Sequence, residues 1–518
     1  MLKKLWCFET LIFLGLWLIL MGCYPWRFFL DPGTFWHTTI GLRILETGQL
    51  PQADTFTYTV HGQPWISQDW LYQVAMALLY KLGGWDSLLV VTVVLLAAMY
   101  AWLAGRLFSA GLDGVCATGV VILAFAACLS QFHVRPLILT MVLTGLSFAL
   151  LVDVESGRRP LRHLWWYVPI SLFWTNVHGG VLGGLGTFVL VAGGWMLCAV
   201  IGRESPIRCR RDGIELAGIL AACGLTVLVN PYGLELPRLW FEILRLPLSD
   251  SVREHWPLWR FPFTAIPSIS LVVLYLVALL GTWPRFPRST WLMPLVWFIL
   301  AYSRTRHASL FVIVAVVALG DMLPYSRLSR WLAWRGFFHG PSIPDASYPR
   351  SGWRRFVVPA AVLVIALLLQ ANSVQVPILG RGWVQLEPTY WPIQLLPELR
   401  ELESQNSPRV RIFNDCRYGG FLIFHTPALP VFQDDRCELF GAAFLKRYDN
   451  LYYHDPGEID HWDAQLGFSH AIVEEDSKLD RYLAGSSRWE TIRRTPAGVL
   501  YRKKSPGIDF DTAVRGAS

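Results

Sequence analysis

The sequence predicts a mainly α-helical, polytopic membrane protein. The expected architecture is a transmembrane bundle of about eleven spans, a long first extracytoplasmic loop and a C-terminal extracytoplasmic α/β domain. Three observations predict it. Of the 518 residues, 53% are hydrophobic and only 16% charged, whereas a soluble globular chain is about 25% charged. Long apolar runs recur up to residue 372 and then stop. Beyond 373 the charge density rises and short β-rich runs take over. This balance excludes an ordinary soluble enzyme and a disordered chain.

A hydrocarbon core takes about 20 apolar residues per helix, with a lower limit near 17. The runs at 5–24, 86–105, 114–132, 137–152, 164–177, 180–201, 213–229, 265–283, 290–303, 307–323 and 356–372 read as spans, three of them short. The stretch 69–82 (DWLYQVAMALLYKL) is apolar but too short to cross. It is expected to be an amphipathic helix in the interface, or else part of a twelfth span. Met1-Leu-Lys-Lys and the apolar run ending in LMGC at 20–23 have the shape of a signal peptide. The many spans that follow favour an uncleaved first span.

Arginine placement orients the bundle. With Lys3 and Lys4 in the cytoplasm, the inner segments are the N-terminus, 106–113, 153–163, 202–212, 284–289 and 324–355. They hold 18 Lys and Arg in about 70 residues, against 10 in about 110 for the outer segments before 356, as the positive-inside rule requires. The net charge of +7 therefore goes mainly to setting topology. With no basic stripe or recognised module, a nucleic-acid partner is not expected. The transmembrane domain spans 1–372, with its first outer loop at 25–85 and a cytoplasmic linker rich in Pro, Ser and Arg at 324–355. Residues 373–518 form the extracytoplasmic domain.

In that domain 409–415, 421–426, 429–435, 470–476 and 498–504 read as short strands, and 398–405 and 436–450 as helices. Alternating strands and helices suggest a small α/β layer domain. Cys416 and Cys437 either pair as a disulfide or stand as two separate thiols. The other cysteines show no CxxC and no zinc spacing, and the chain has no internal repeat.

Mapped onto this topology, the unusual polar residues gather on the outer side. Asp31, His37, Asp54 and Asp69 lie in the first outer loop, Arg135 in the second, and Asn176 and His178 at the outer end of the fifth span. Asn230 and Tyr232 follow the seventh span; Arg253, Glu254 and His255 lie in the third large loop; Arg304, Arg306 and His307 form a tight outer turn. Each has a structural reading. Arg135, Arg304 and Arg306 serve as snorkelling anchors, the two asparagines as helix bridges, His37 and His178 as satisfied interface residues, NPYG (230–233) as a turn, and the loop acids as solvation. Together they have a functional reading too. Ionisable groups beside the bilayer are costly unless paired or wet, and a loop of 61 residues is long for connection alone. An acid near the surface can take a proton from an acceptor hydroxyl, and arginines can hold a phosphate. Those parts suit glycosyl transfer from a lipid-linked donor, with the phosphate as leaving group.

The order of motifs resembles the GT-C superfamily, multi-span glycosyltransferases that use polyprenyl-phosphate-linked sugars, and within it a bacterial branch. The first loop supplies Asp31, Trp36-His37, Gly41, Pro51, Asp54, Phe56, Thr57, Thr59, Gly62, Pro64-Trp65 and Asp69-Trp70-Leu71. VRP (134–136), WTNVHGG (174–180), NPYG (230–233), REHWPLW (253–259) and SRTRH (303–307) follow. FNDCRYGGFLIF (413–424) and VFQDDRCELFG (431–441) are similar to that branch's tail segments. The resemblance implies a catalytic Asp at Asp31, as general base or acceptor-orienting group, with His37 positioning it or touching the phosphate. Asp54, Asp69 or Glu254 would add a second carboxylate. Arg304 and Arg306, then Arg135 and His178, are the implied phosphate ligands, and Asn176, Asn230 and His307 are further candidates. Asp31 is followed by Pro32, so the family's adjacent acidic pair is absent. No cofactor is certain, and a divalent metal stays open. Asp434-Asp435-Arg436 is either a sugar-binding turn or a strand end. The implied reaction is an inverting transfer from a polyprenyl-phosphate-linked sugar to a lipid, glycan or protein acceptor outside a bacterial inner membrane. The rivals are a transporter or flippase for lipid-linked saccharides and a non-catalytic assembly protein.

Overall fold

The computed structural model describes residues 7–23, 25–246, 253–340, 353–405, 407 and 409–504. Lys3 and Lys4, which set the expected orientation, and residues 341–352 of the expected linker lie outside them. The protein is mainly α-helical, with one small sheet near its C-terminus. It folds as two compact units: a helical unit of 1–29, 41–50 and 66–385, and an α/β unit of 30–40, 51–65 and 386–518. The first outer loop, expected to belong wholly with the spans, is thus divided between the two.

In the helical unit every expected span is a helix. Seven are long and apolar enough to cross a membrane: 85–109, 114–131, 137–155, 181–200, 262–280, 305–325 and 353–371. Phe8–Cys23 and Ser289–Ser303 are apolar but shorter, and Tyr167–Val177 and Arg210–Thr226 complete the eleven. Three helices sit at the centre of the unit. Within Thr305–Tyr325, 83% of the apolar window is buried, and within Trp85–Ser109 and Leu137–Glu155, 78% each. Their windows are apolar on every face, as a helix enclosed by others must be. The last span, Trp353–Ala371, is only 17% buried in its window and lies at the periphery of its unit.

The stretch 69–82 forms the helix Trp70–Gly83. It packs tightly on Gly41, where an added Cβ would lie 1.9 Å from the Gln73 carbonyl oxygen. Only glycine allows that approach of backbones. After the last span Asp86 fastens the chain by accepting the amides of Gly382, Trp383 and Val384 at 2.8, 2.8 and 2.9 Å. A helix at Glu235–Arg245, which the apolar runs do not reveal, packs Leu236 and Trp240 against Trp174 and Val181.

The α/β unit is built on four strands, β1 (Ile412–Asn414), β2 (His470–Glu474), β3 (Trp489–Arg494) and β4 (Gly498–Lys503), in the order β1-β2-β4-β3. β1 and β2 are parallel, with Ile412 opposite His470; β4 runs antiparallel to both β2 and β3. The expected strands at 409–415, 470–476 and 498–504 are present. The expected strand 421–426 is instead the end of a helix, Cys416–His425. Its glycines explain the close fit. A Cβ on Gly419 would lie 2.2 Å from the Gln433 carbonyl oxygen, and one on Gly420 2.2 Å from that of Pro32. The expected strand 429–435 reduces to a single bridge between Thr57 and Val431, framed by Tyr58 N–H donating to Val431 O at 3.1 Å and Val431 N–H to Phe56 O at 3.0 Å. Residues 51–65 thereby become part of this unit. The expected helices appear as Leu396–Ser404 and Cys437–Asp449, the second kinked at Gly441 (φ 76°). Phe413, Phe432, Trp462, Phe468 and Val473 form its core, with Tyr58 packed against them.

Candidate functional site

The predicted site residues fall into two groups, one in each unit. Asp31, His37 and Asp54 belong to the α/β unit; Asp69, Arg135, Asn176, His178, Asn230, Glu254, Arg304, Arg306 and His307 belong to the helical unit.

In the α/β unit Asp31 precedes the helix Gly33–Thr47, and its Oδ1 accepts the Gly33 amide at 2.8 Å. Three side chains meet over Gly33. A Cβ there would lie 2.7 Å from Asp31 Oδ1, 3.4 Å from Asp435 Oδ2 and 3.4 Å from His37 Cδ2. The second carboxylate beside Asp31 is therefore Asp435, which the sequence offers only as a sugar-binding turn or strand end. Its other oxygen accepts the Trp36 indole N–H at 2.7 Å. Burial, and then the negative charges of Asp31 and Asp434, push the Asp435 carboxyl well above the usual carboxylate range. His37 is buried and lies against the Trp36 ring, 3.7 Å between centroids.

Asp54 does not supply that second carboxylate. Its oxygens accept from the Thr57 amide (3.0 Å), the Thr57 hydroxyl (2.7 Å) and Arg436 Nη2 (2.7 Å). Arg436 is held in turn by Asp434, through Nε at 2.9 Å and Nη2 at 2.6 Å, and lies over the Trp65 ring at 4.7 Å. Cys416 and Cys437 are free thiols, not a disulfide. The Cys416 thiol donates to the Asp434 carbonyl oxygen at 3.4 Å.

In the helical unit the tight turn after Ser303 is tied to the segment 253–260 by the Thr305 amide donating to Trp256 O at 2.9 Å. Arg306 donates to His255 Nε2 at 2.7 Å, and Arg135 pairs with Glu254 while its Nη2 donates to Gln131 Oε1 at 2.9 Å. Neither Arg304 nor Arg306 has a carboxylate ion-pair partner within 4.0 Å among the described residues. Asp69 is close enough to Arg306 to interact with its charge. Burial opposes ionisation of Glu254, yet Arg135 and Arg306 together bring its carboxyl down to about 2. It is an anion at any working pH and suits holding Arg135 better than removing protons.

His178 accepts the Gly180 amide at Nδ1 (3.1 Å) and sits 2.8 Å from Thr140 Oγ1, which accepts the Trp174 indole at 2.9 Å. Nδ1 is thus the acceptor, and Nε2 carries the proton. Burial, then Arg306 and Arg135, lower His178 to about 3; burial, then Arg306 and Arg304, lower His255 to about 4. Both rings are neutral donors or acceptors rather than cations. His307 packs on Trp297 at 6.0 Å between centroids. Asn176 bridges Trp70, Leu172 and Val229 at 3.0 Å each. Asn230 closes its turn through Val227, Gly233 and Tyr232. Both amides are spent on structure.

These shifts predict an acid limb in stability. As pH falls through about 6.5 the unfolded chain takes up protons, whereas folded His178 and His255 do so only near 3 and 4. Stability present above pH 6.5 is therefore lost between about 6.5 and 4. Glu254 extends the loss from its unfolded value down to about 2. Thermal midpoints in detergent from pH 8 to 4.5 are expected to fall with pH, and to fall less steeply when His178→Gln and His255→Asn are combined. Equal slopes would show that these rings do not titrate as described.

No protein-family model matches the sequence. No curated protein matches it either. Solved structures do. The oligosaccharyltransferase AglB from Archaeoglobus fulgidus, in complex with an inhibitory peptide and a dolichol-phosphate, is 11% identical over 97% of this chain and 74% of its own, with a TM-score of 0.52. ArnT from Cupriavidus metallidurans bound to undecaprenyl phosphate is 15% identical over 96% of this chain and 98% of its own, with a TM-score of 0.46. The likeness to the archaeal oligosaccharyltransferase is one of fold alone.

Proposed function

We propose that the protein transfers a sugar from a polyprenyl-phosphate-linked donor to an acceptor on the outer side of a bacterial inner membrane. The observation that carries this reading is the arginine cluster of the helical unit. Arg135, Arg304 and Arg306 gather with Glu254, His255 and His178, and Arg304 and Arg306 lack a carboxylate ion pair among the described residues. Two guanidiniums with no carboxylate at ion-pair distance among the described residues, beside neutral imidazoles, suit a phosphate in charge and donor number. The GT-C fold supports it, and the archaeal oligosaccharyltransferase of that fold is described with a dolichol-phosphate.

The chemistry is a single inverting displacement. The acceptor oxygen forms its bond to the anomeric carbon as the bond from that carbon to the phosphate oxygen breaks. The acceptor proton goes to the Asp31 carboxylate. The electron pair leaves with the polyprenyl phosphate, whose growing charge Arg304 and Arg306 stabilise. The Nε2–H of His178 donates to a phosphate oxygen, Glu254 fixes Arg135, and Asp69 orients Arg306. His37 and Asp435 shape the surroundings of Asp31. Among the described residues no group of three or more His, Cys, Asp or Glu side chains is placed to hold a metal ion, and no step is routed through one.

The test is binding of undecaprenyl phosphate to the purified full chain. Arg304→Gln and Arg306→Gln are each expected to weaken it by about tenfold to hundredfold, the loss of a charge-assisted contact. Unchanged affinity in the double variant would remove the phosphate site and the reading with it.

A further inference from the structure

The helical unit contains a cavity of about 750 Å³ that is lined by none of the residues proposed for the transfer reaction. It lies at the other end of the same helices. Leu137–Glu155 carries Thr140 beside His178 near its start and Asp153 in this cavity near its end. Ala308–Met322 follows directly on Arg306 and brings Asp321 to the same cavity. At 1.5 Å per residue each helix separates the two places by about 20 Å, most of the way across a hydrocarbon core of about 30 Å.

One wall of the cavity is apolar, with Trp102, Leu146, Leu150 and Ile170; Leu146 is 47% exposed and opens it sideways between the helices. The other wall carries Arg106, Arg158, Arg159 and Arg355 against only Asp153 and Asp321. Arg106 is committed to Asp153 at 3.1 Å and Arg158 to Asp321 at 2.6 Å. Arg159 approaches Asp153 only at 3.7 Å. Arg355 has no ion pair among the described residues, and its Nε is a buried donor with no partner among them. The surplus positive charge therefore rests on Arg159 and Arg355. Both belong to segments that the arginine bias assigns to the cytoplasmic side.

We propose that this cavity holds one anionic phospholipid of the cytoplasmic leaflet, its phosphate against Arg159 and Arg355 and an acyl chain along Trp102, Leu146, Leu150 and Ile170. A basic pocket between transmembrane helices on that side is the arrangement such headgroups take. The apolar wall argues for a lipid over a soluble anion, because a free phosphate would leave it wet. This proposal is independent of the transfer reaction.

The experiment is native mass spectrometry of the delipidated full chain titrated with phosphatidylglycerol. One lipid is expected to bind. The double variant Arg159→Gln, Arg355→Gln is expected to bind it about thirtyfold more weakly, the effect of two arginines at a lipid surface. Leu150→Trp fills the apolar wall with every arginine intact and is expected to lower occupancy as well; thermal unfolding in detergent alone confirms that each variant is folded. Arg304→Gln, Arg306→Gln is expected to retain the phospholipid, which separates this site from the donor site. Equal binding of phosphatidylcholine, displacement by inorganic phosphate at matched concentration, or preference for undecaprenyl phosphate would each overturn the proposal.

Discussion

Asp31→Asn is expected to lower sugar transfer by about 10²- to 10⁴-fold, the usual worth of a general base, with undecaprenyl phosphate binding unchanged. The substitution is clean because asparagine keeps an oxygen to accept the Gly33 amide, now at 2.8 Å from Asp31 Oδ1, and is as good as aspartate at a helix entry. What it removes is the charge and the basicity. Label release from a panel of polyprenyl-phosphate-linked sugars, measured with purified full-length protein, is the readout. The same variant separates the rivals. A transporter needs no proton acceptor at Asp31 and would keep its flux, and an assembly protein would show no turnover to lose. Full transfer by Asp31→Asn would end the assignment of Asp31 as base while leaving the arginine site to stand on its own test.

Arg436→Ala is expected to destabilise the α/β unit by about 3–5 kcal/mol, the cost of breaking a buried ion pair by removing one partner. Arg436 is 1% exposed and answers two carboxylates that are themselves buried, Asp54 at 1% and Asp434 at 2%. Removing it strands both charges and empties the space over Trp65, Phe56 and Trp36. For a unit of this size the thermal midpoint should fall by about 10 °C or more. Arg436→Lys is expected to rescue only part of this, because an ammonium cannot serve Asp54 and Asp434 through one planar fork. A melt within 2 °C of the parent, the width of about 1 kcal/mol or less, would show that the cluster does not hold 51–65 in the unit.

The helices were legible in the sequence because hydropathy needs only composition over a window, and a helix stands at each of the eleven apolar runs, seven of them long and apolar enough to cross a membrane. Strand β3 was not legible, since WETIRR carries three charged residues on an edge with no apolar alternation to betray it. FLIFHT misled for the opposite reason. A short apolar run does not reveal its own period, and what makes it helical is the fit of Gly419 and Gly420 against the backbones of residues 433 and 32. The site divides in the same way. Asp31, Arg304, Arg306, Arg135, Glu254 and His178 stand out as ionisable groups beside spans. Asp435 does not, because its meaning depends on Gly33, some four hundred positions earlier in the chain. His255 stands out beside Glu254 in the sequence, but its partner Arg306 is seen only in the structure. Asn176 and Asn230 had the right residue type in the right place, and only their hydrogen bonds show that they brace helices and turns.

The division of the first loop also sets a timetable. Segments 30–40 and 51–65 leave the ribosome early, but the strands and the Asp434–Arg436 turn they fold with come from beyond residue 386. At about 5–20 residues per second, Asp31 waits roughly 20 to 80 seconds for Asp435, and Asp54 as long for Arg436. During that interval the newborn chain presents its first carboxylates without their eventual neighbours. A nascent protein arrested anywhere before residue 434 is therefore a bundle of spans whose Asp31 lacks its finished setting, so completion of synthesis doubles as the step that assembles this half of the machinery.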